Sequence, residues 1–123
     1  MPRMRGLTII VAGADPARLH AALSLAAAQA ALDRPARIFL QGDAVGLLRQ
    51  PLAAPDDARH SAAGLPTLAE LLHEAAALGV TVTACQSGLA LAGLQSTDLP
   101  DGVATGGLVE LLATGGDDQL LLA

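Results

Sequence analysis

Aromatic side chains are almost absent from this sequence. Its 123 residues include one Phe and no Tyr or Trp. Lysine is missing as well, so all seven basic residues are arginines, and the net charge is −5. Proteins that bind nucleic acid need a basic surface and often stack bases on aromatic rings. The composition therefore argues against nucleic acid as a partner and predicts an aliphatic, alanine-rich core.

Cysteine occurs only once, as Cys85. A single thiol excludes a disulfide framework within the chain, a Cys-x-x-Cys dithiol and a zinc site built from cysteine pairs. We therefore expect no metal centre of that kind and no bound cofactor. A lone cysteine is also typical of a reducing compartment, which favours the cytoplasm.

Charged residues are scarce at 15%, whereas hydrophobic residues make up 52% of the chain. Typical soluble domains contain about 25% and 45–50%, respectively. Such a chain can bury enough apolar surface to offset the entropy lost on folding, so disorder is excluded. Because domains average roughly 100–200 residues, we predict one domain over residues 1–123.

Two apolar stretches resemble export or membrane signals. Residues 7–14 follow basic residues and end in Ala-x-Ala, as a signal peptide does, but the apolar run is short and β-branched. We interpret it as the first buried strand. Residues 80–97 are uncharged, but threonines, glutamines and glycines make them too polar for a membrane span. The sequence predicts a soluble protein that does not enter the membrane.

Short apolar runs alternate with helical patterns along the chain. Strands are predicted at residues 7–12, 36–40, 80–84, 103–105 and 119–122, and helices at 17–32, 44–49, 67–78, 89–94 and 107–113. Residues 50–66 are predicted to be irregular. Apolar strands that alternate with helices are typical of a parallel sheet covered on both faces. We predict an α/β fold with three layers, α/β/α, around a five-stranded parallel sheet of flavodoxin-like or Rossmann-like type, with its strand order left open.

In open parallel sheets, ligands bind beyond the carboxyl ends of the strands. Three loops of this sequence have that position, and Cys85 lies in the third, which should place it near the first. The candidate binding residues in these loops are Gly13, Asp15, Gln41, Gly42, Asp43, Gln86, Ser87 and Gly88.

Cys85 is predicted to end a strand just before a helix begins. The free N–H groups and positive dipole end of a helix N-terminus stabilise a thiolate, which is the nucleophilic form of cysteine. A buried free cysteine can equally be a small hydrophobic core residue. The residues around Cys85 leave both interpretations open.

Several known cysteine chemistries do not fit the segment that follows Cys85. A Cys-x5-Arg phosphatase loop requires arginine where Leu91 stands, and a rhodanese-type Cys-x-x-Gly-x-Arg loop has Gly88 but Ala90 in place of its arginine. No peroxidatic motif surrounds the thiol, and it has no second cysteine to resolve a disulfide. A single thiol of this kind could carry sulfur as a persulfide and pass it between proteins.

The sequence resembles the DsrE/DsrF-like family over nearly its whole length. The residues that carry the resemblance are Gly-Val-Thr-Val-Thr-Ala-Cys-Gln-Ser-Gly-Leu at 79–89, with supporting segments at 13–16 and 38–45. The resemblance implies a small α/β sulfur carrier or sulfur-relay subunit in which Cys85 matches the persulfide-bearing cysteine. It also implies a sulfur-donor or sulfur-acceptor protein as partner, and assembly as a homo-trimer or homo-hexamer.

This chain departs from what a persulfide site would favour, because no Lys or Arg lies near Cys85 in sequence. A positive partner would then come from Arg59, from His60 or from another subunit. His60 is therefore included as a candidate binding residue, whereas His20 and His73 are interpreted as packing or surface residues. Asp15 and Asp43 are interpreted mainly as caps of the helices that follow them.

Two further functions remain as alternatives. In the first, the protein is a non-catalytic binding or assembly module, and Cys85 only packs in its core. In the second, it is a flavodoxin-like nucleotide binder, which is disfavoured because no aromatic residue could stack a flavin and Gly13-x-Asp15 is not a phosphate loop. The exposure of the Cys85 sulfur separates a carrier from a packing role.

The surplus of apolar residues also predicts a homo-oligomer. A domain of this size buries about two-thirds of its unfolded surface, which leaves apolar area outside. Exposed apolar patches commonly mark interfaces. We expect the alanine-rich face of the first helix, with Ala22, Ala26 and Ala30, to contact a neighbouring helix, although the same alanines could pack on the chain's own sheet.

Overall fold

A five-stranded parallel sheet organises residues 5–123, the part of the chain that the computed structural model describes. Residues 1–4 of the predicted domain lie outside the described residues. The strands are β1 (Leu7–Val11), β2 (Ala36–Leu40), β3 (Thr81–Cys85), β4 (Ala104–Gly106) and β5 (Gln119–Leu122). The α-helices are α1 (Pro16–Ala31), α2 (Asp57–Ala62), α3 (Leu68–Ala77), α4 (Gln86–Ala92) and α5 (Leu108–Ala113), and two 3₁₀-helices span Gly42–Leu48 and Ser96–Asp98.

The strand order is β4-β3-β2-β1-β5, and every neighbouring pair is parallel. The first four strands step outward in one direction, and β5 returns to the free side of β1. Helices α1 and α3 pack together on one face of the sheet, whereas α5 lies over the other face. This arrangement confirms the predicted α/β fold and its five parallel strands.

Buried apolar side chains explain the strands, and capping residues explain where the helices begin. Side chains of Ile9 and Ile38 point into the core beneath α1 and are fully buried. Helix α1 begins where the Asp15 carboxylate accepts the N–H of Ala17 at 2.9 Å, with Pro16 in the first turn, as predicted. Helix α3 begins with a capping box between Thr67 and Glu70.

The alanine face of α1 does not have the role that the sequence predicted. Ala22 and Ala26 are buried in the chain's own core, and Ala30 packs against it. These small side chains let α1 approach its own sheet closely. Ala22 and Ala26 are not available to a neighbouring subunit, so the helix contact predicted through them is wrong.

The segment predicted to be irregular contains helix α2. The Asp57 carboxylate accepts the N–H of Ala54 at 2.9 Å and that of Leu68 at 3.1 Å, which fastens both ends of this segment. None of the residues of α2 is buried. A six-residue helix without a buried face has no apolar stripe, which explains why its pattern did not predict it.

The face of the sheet that carries α5 is only partly covered. Arg37 of β2 donates hydrogen bonds to the hydroxyl of Thr114 at 3.0 Å and to the carbonyl of Leu111 at 3.2 Å, which holds α5 above β2. Beyond α5, Leu120 and Leu122 of the outer strand β5 are exposed. Within the described part of the chain, no helix has the length and hydropathy that a bilayer crossing requires.

Candidate functional site

Cys85 lies at the carboxyl edge of the parallel sheet. It is the last residue of β3 and pairs with Gly106, the last residue of β4. Helix α4 begins at the next residue, Gln86, three residues earlier than the sequence predicted. The thiol is therefore at the strand-to-helix junction that the sequence indicated.

An open cavity of about 310 Å³ adjoins this cysteine. Three chain segments form its wall: the start of the 3₁₀-helix after β2, the start of α4, and the junction of β4 with α5. Cys85 is buried, with 8% of the residue exposed, and it forms part of the cavity wall. Burial is what the packing interpretation predicts, whereas a place in the cavity wall is what a carrier requires. The lining residues are Gln41, Gly42, Cys85, Gln86, Ser87, Gly106, Gly107 and Leu108.

Two opposing effects set the pKa of the Cys85 thiol. Burial raises the pKa of the thiol, because it removes water from the charged form. Hydrogen bonds from the backbone of Gly42, Gly88 and Ser87, and from the Ser87 hydroxyl, stabilise the thiolate and lower the pKa more strongly. The net result is a pKa below the ordinary value for cysteine, which increases the thiolate fraction near neutral pH.

Two of these positions favour glycine, for different reasons. Gly42 has φ of +59°, a left-handed conformation that disfavours side chains. At Gly88, a Cβ atom would collide with the Val45 side chain and lie 2.5 Å from the Gly42 carbonyl oxygen. Helix α4 and the 3₁₀-helix can thus approach each other closely beside Cys85.

Among the described residues that line the Cys85 cavity, none carries a charge. Arg59 forms an ion pair with Asp56 at 3.1 Å, and His60 stacks on His20 with ring centroids 4.1 Å apart. Neither belongs to the cavity wall, so the predicted source of positive charge within the chain is wrong. Backbone and hydroxyl donors take the place of a cation here.

The loop after β1 is not part of this site. Strand β2 lies between β1 and β3, so Gly13 and Asp15 are not next to Cys85 as the sequence predicted. Asp15 caps α1 and pairs with Arg18 at 3.6 Å. Asp43 is exposed in the first turn of the 3₁₀-helix, which has no side-chain cap, so its predicted capping role is wrong.

The sequence analysis missed three wall residues, Gly106, Gly107 and Leu108. A signal for them was present, because a strand at 103–105 followed by a helix at 107 defines a fourth loop at the same sheet edge. The close pairing of β3 with β4 brings it beside Cys85.

Solved structures with this fold include the ychN protein from E. coli, which is 24% identical with a TM-score of 0.74; the match covers 98% of this chain and 100% of that one. A protein of unknown function from Methanobacterium thermoautotrophicum, MTH1491, is 17% identical with a TM-score of 0.68, and the match covers 97% and 99% of the two chains. No curated protein matches the sequence. The model of the DsrE/DsrF-like family matches residues 6–118, and the chain therefore belongs to the DsrE/DsrF-like family.

Proposed function

We propose that this protein carries sulfur as a persulfide on Cys85 and passes it to a second protein. The observation that carries the proposal is the position of Cys85 at the carboxyl end of β3, directly before α4 and in the wall of the open cavity. The lowered pKa of its thiol agrees with that position. Family membership and the open cavity beside the thiol support the proposal. A sulfur-donor or sulfur-acceptor protein is the partner of such a carrier.

The transfer needs no cofactor, metal or outside oxidant. The Cys85 thiolate attacks the outer sulfur of a donor persulfide, R–S–SH. The S–S bond of the donor breaks, the donor leaves as the thiolate R–S⁻, and Cys85 becomes Cys–S–SH. An acceptor thiolate then attacks the outer sulfur of Cys85 in the same way, which restores the Cys85 thiolate.

The site suits both stages of this cycle. The donors from Gly42, Ser87 and Gly88 stabilise negative charge on the Cys85 sulfur when it attacks and when it leaves. Gly106 and Gly107 have no side chains, which leaves space in the cavity for the added sulfur. The same donors lower the pKa of the leaving thiol, and a lower leaving-group pKa speeds exchange at sulfur.

Intact mass spectrometry tests this proposal directly. The native protein is incubated at pH 7 with a small-molecule persulfide, and we expect a gain of one sulfur, about 32 Da, on Cys85. Gain should be faster than in the same chain unfolded in urea, because only the folded site stabilises the thiolate. Addition of an acceptor thiol should then remove the added mass.

The Cys85→Ser variant is the control, since it removes the chain's one thiol. It should gain no mass under either condition. If the unfolded chain reacts while the native protein does not, Cys85 has a packing role and the proposal is wrong.

A further inference from the structure

The outer side of β4 is an open sheet edge next to the Cys85 cavity. Strand β3 pairs with one side of β4, and no strand among residues 5–123 lies on its other side. Ala104 and Thr105 of β4 are exposed. An edge strand has N–H and C=O groups directed outward that lack a strand partner, which makes it a template for a further strand.

Cavities border this edge on both faces of the sheet. On the α3 face, a cavity of about 430 Å³ is largely apolar, with walls that include Leu72, Ala76, Val82 and Val103. The cavity on the α5 face, of about 260 Å³, is lined partly by threonines, including Thr105 of β4 itself. It shares Gly106 and Gly107 with the Cys85 cavity, so the two lie side by side.

This arrangement matches the side-chain pattern of an extended peptide. Successive side chains of a strand point to opposite faces, with a period of two residues. A strand added along β4 would thus direct alternate side chains toward the apolar cavity and the threonine-lined cavity. Proteins that bind a peptide by strand addition gain affinity from backbone hydrogen bonds and specificity from pockets for alternate side chains. The edge of β4 and its two cavities offer both.

The charges at the edge determine which peptide fits. Asp101 lines the cavity on the α3 face, and Glu110 lines the cavity on the α5 face. Arg37 also lines the latter, but its guanidinium is bonded to Thr8 and Thr114 and lies 3.4 Å from the Asp118 carboxylate. Asp101 shares its cavity with His73. Basic side chains directed toward α5 would therefore complement Glu110 alone.

We propose that β4 docks an extended segment of the sulfur partner, with apolar side chains toward α3 and polar or basic side chains toward α5. The role of this segment in sulfur transfer rests on the proposed function of Cys85, whereas its docking does not. Because Cys85 pairs with Gly106 at the carboxyl end of β4, a segment along the outer edge of β4 ends one strand away from the thiol, on the far side of Gly106.

A synthetic hexapeptide tests the docking without any sulfur chemistry. The probe is acetyl-Val-Lys-Val-Lys-Val-Ser-amide, in which serine replaces the reacting cysteine. Protein NMR should show shifted amide signals at Ala104 and Thr105 and slower hydrogen exchange along β4. A peptide with proline at both lysine positions should not bind at this edge, because it lacks backbone N–H donors there.

Variants of the protein locate the binding surface. Ala76→Trp fills the apolar cavity from an exposed position on α3, and it should raise the Kd of the probe at least about tenfold. Ala21→Trp is the matched control at an exposed position on α1, and it should leave the Kd unchanged.

The proposal is wrong if the hexapeptide shows no saturable binding. It is also wrong if the hexapeptide binds, but Ala76→Trp does not weaken this binding and the amide signals of β4 do not shift. The Cys85→Ser variant should bind the probe as tightly as the unmodified protein. If the hexapeptide does not bind but Cys85 still forms a persulfide, only the docking site is refuted. If the hexapeptide binds but Cys85 forms no persulfide, only the proposed function is refuted.

Discussion

At the scale of single residues, neutral donors rather than charges lower the pKa of the Cys85 thiol. Ser87 contributes twice, through its backbone and through its hydroxyl. The glycines contribute because they allow two helices to approach each other closely.

The Ser87→Ala variant removes one donor and leaves the backbone in place. We expect the pKa of Cys85 to rise, because the hydroxyl stabilises only the thiolate. One hydrogen bond contributes about 1 kcal/mol, so the alkylation rate by iodoacetamide at neutral pH should fall about fivefold. The pH dependence of that rate measures the shift.

The control for this experiment is Ser61→Ala, at an exposed position on α2. Its alkylation profile should coincide with that of the unmodified protein. An unchanged profile in Ser87→Ala would mean that the hydroxyl does not contribute to the acidity of Cys85.

At the scale of secondary-structure elements, the sequence predicts where strands begin and end. It does not predict which strands and side chains become neighbours in the fold. The bounds of β2 and β5 were predicted correctly, because apolar runs between turn residues define them. Cys85 was placed correctly at the sheet edge for the same reason. Asp15 and His60 were candidates for its surroundings because local sequence does not encode strand order or the stacking of His60 on His20.

A cluster of polar side chains around the buried Thr8 connects α5 and β5 to the rest of the sheet. The hydroxyl of Thr8, which is fully buried, donates to the Asp118 carboxylate at 2.9 Å and accepts from Arg37 at 3.1 Å. Arg37 also holds α5 through Thr114. Asp118 comes directly before β5, so one cluster ties β1, β2, α5 and β5 together.

Asp118→Ala should destabilise the protein by about 1–3 kcal/mol, because it leaves the Thr8 hydroxyl buried without an acceptor and Arg37 without its carboxylate. Unfolding in urea measures this loss. The neighbouring Asp117 is exposed, and Asp117→Ala should change the free energy of unfolding by less than about 0.5 kcal/mol. Equal effects of the two substitutions would show that the cluster does not stabilise the fold.

At the scale of the whole molecule, leucines of α5 and β5 form an exposed apolar surface. It comprises Leu112 of α5 with Leu120 and Leu122 of β5, which are 54%, 58% and 73% exposed. Leu112 and Leu120 line the same shallow depression. Strand β5 is also a sheet edge, opposite to β4. Leucines concentrated at an edge strand are typical of a surface that another chain covers.

We therefore propose that this surface, rather than the alanine face of α1, joins copies of the chain into a homo-trimer or homo-hexamer. Light scattering should then give a mass of three or six times the 12.3 kDa chain, about 37 or 74 kDa. Leu122→Arg places a charge in the interface and should shift the mass toward that of a single chain. The far-UV spectrum of this variant should not change, because Leu122 is exposed.

An equally exposed leucine outside this surface provides the control. Leu91 lies on α4, near the opposite edge of the sheet, and is 70% exposed. Leu91→Arg adds the same charge and removes a similar apolar area, so it should leave the mass unchanged. Dissociation by Leu91→Arg instead of Leu122→Arg would move the interface to the α4 side, where it would restrict access to Cys85. A mass near 12.3 kDa for the unmodified protein would refute assembly altogether.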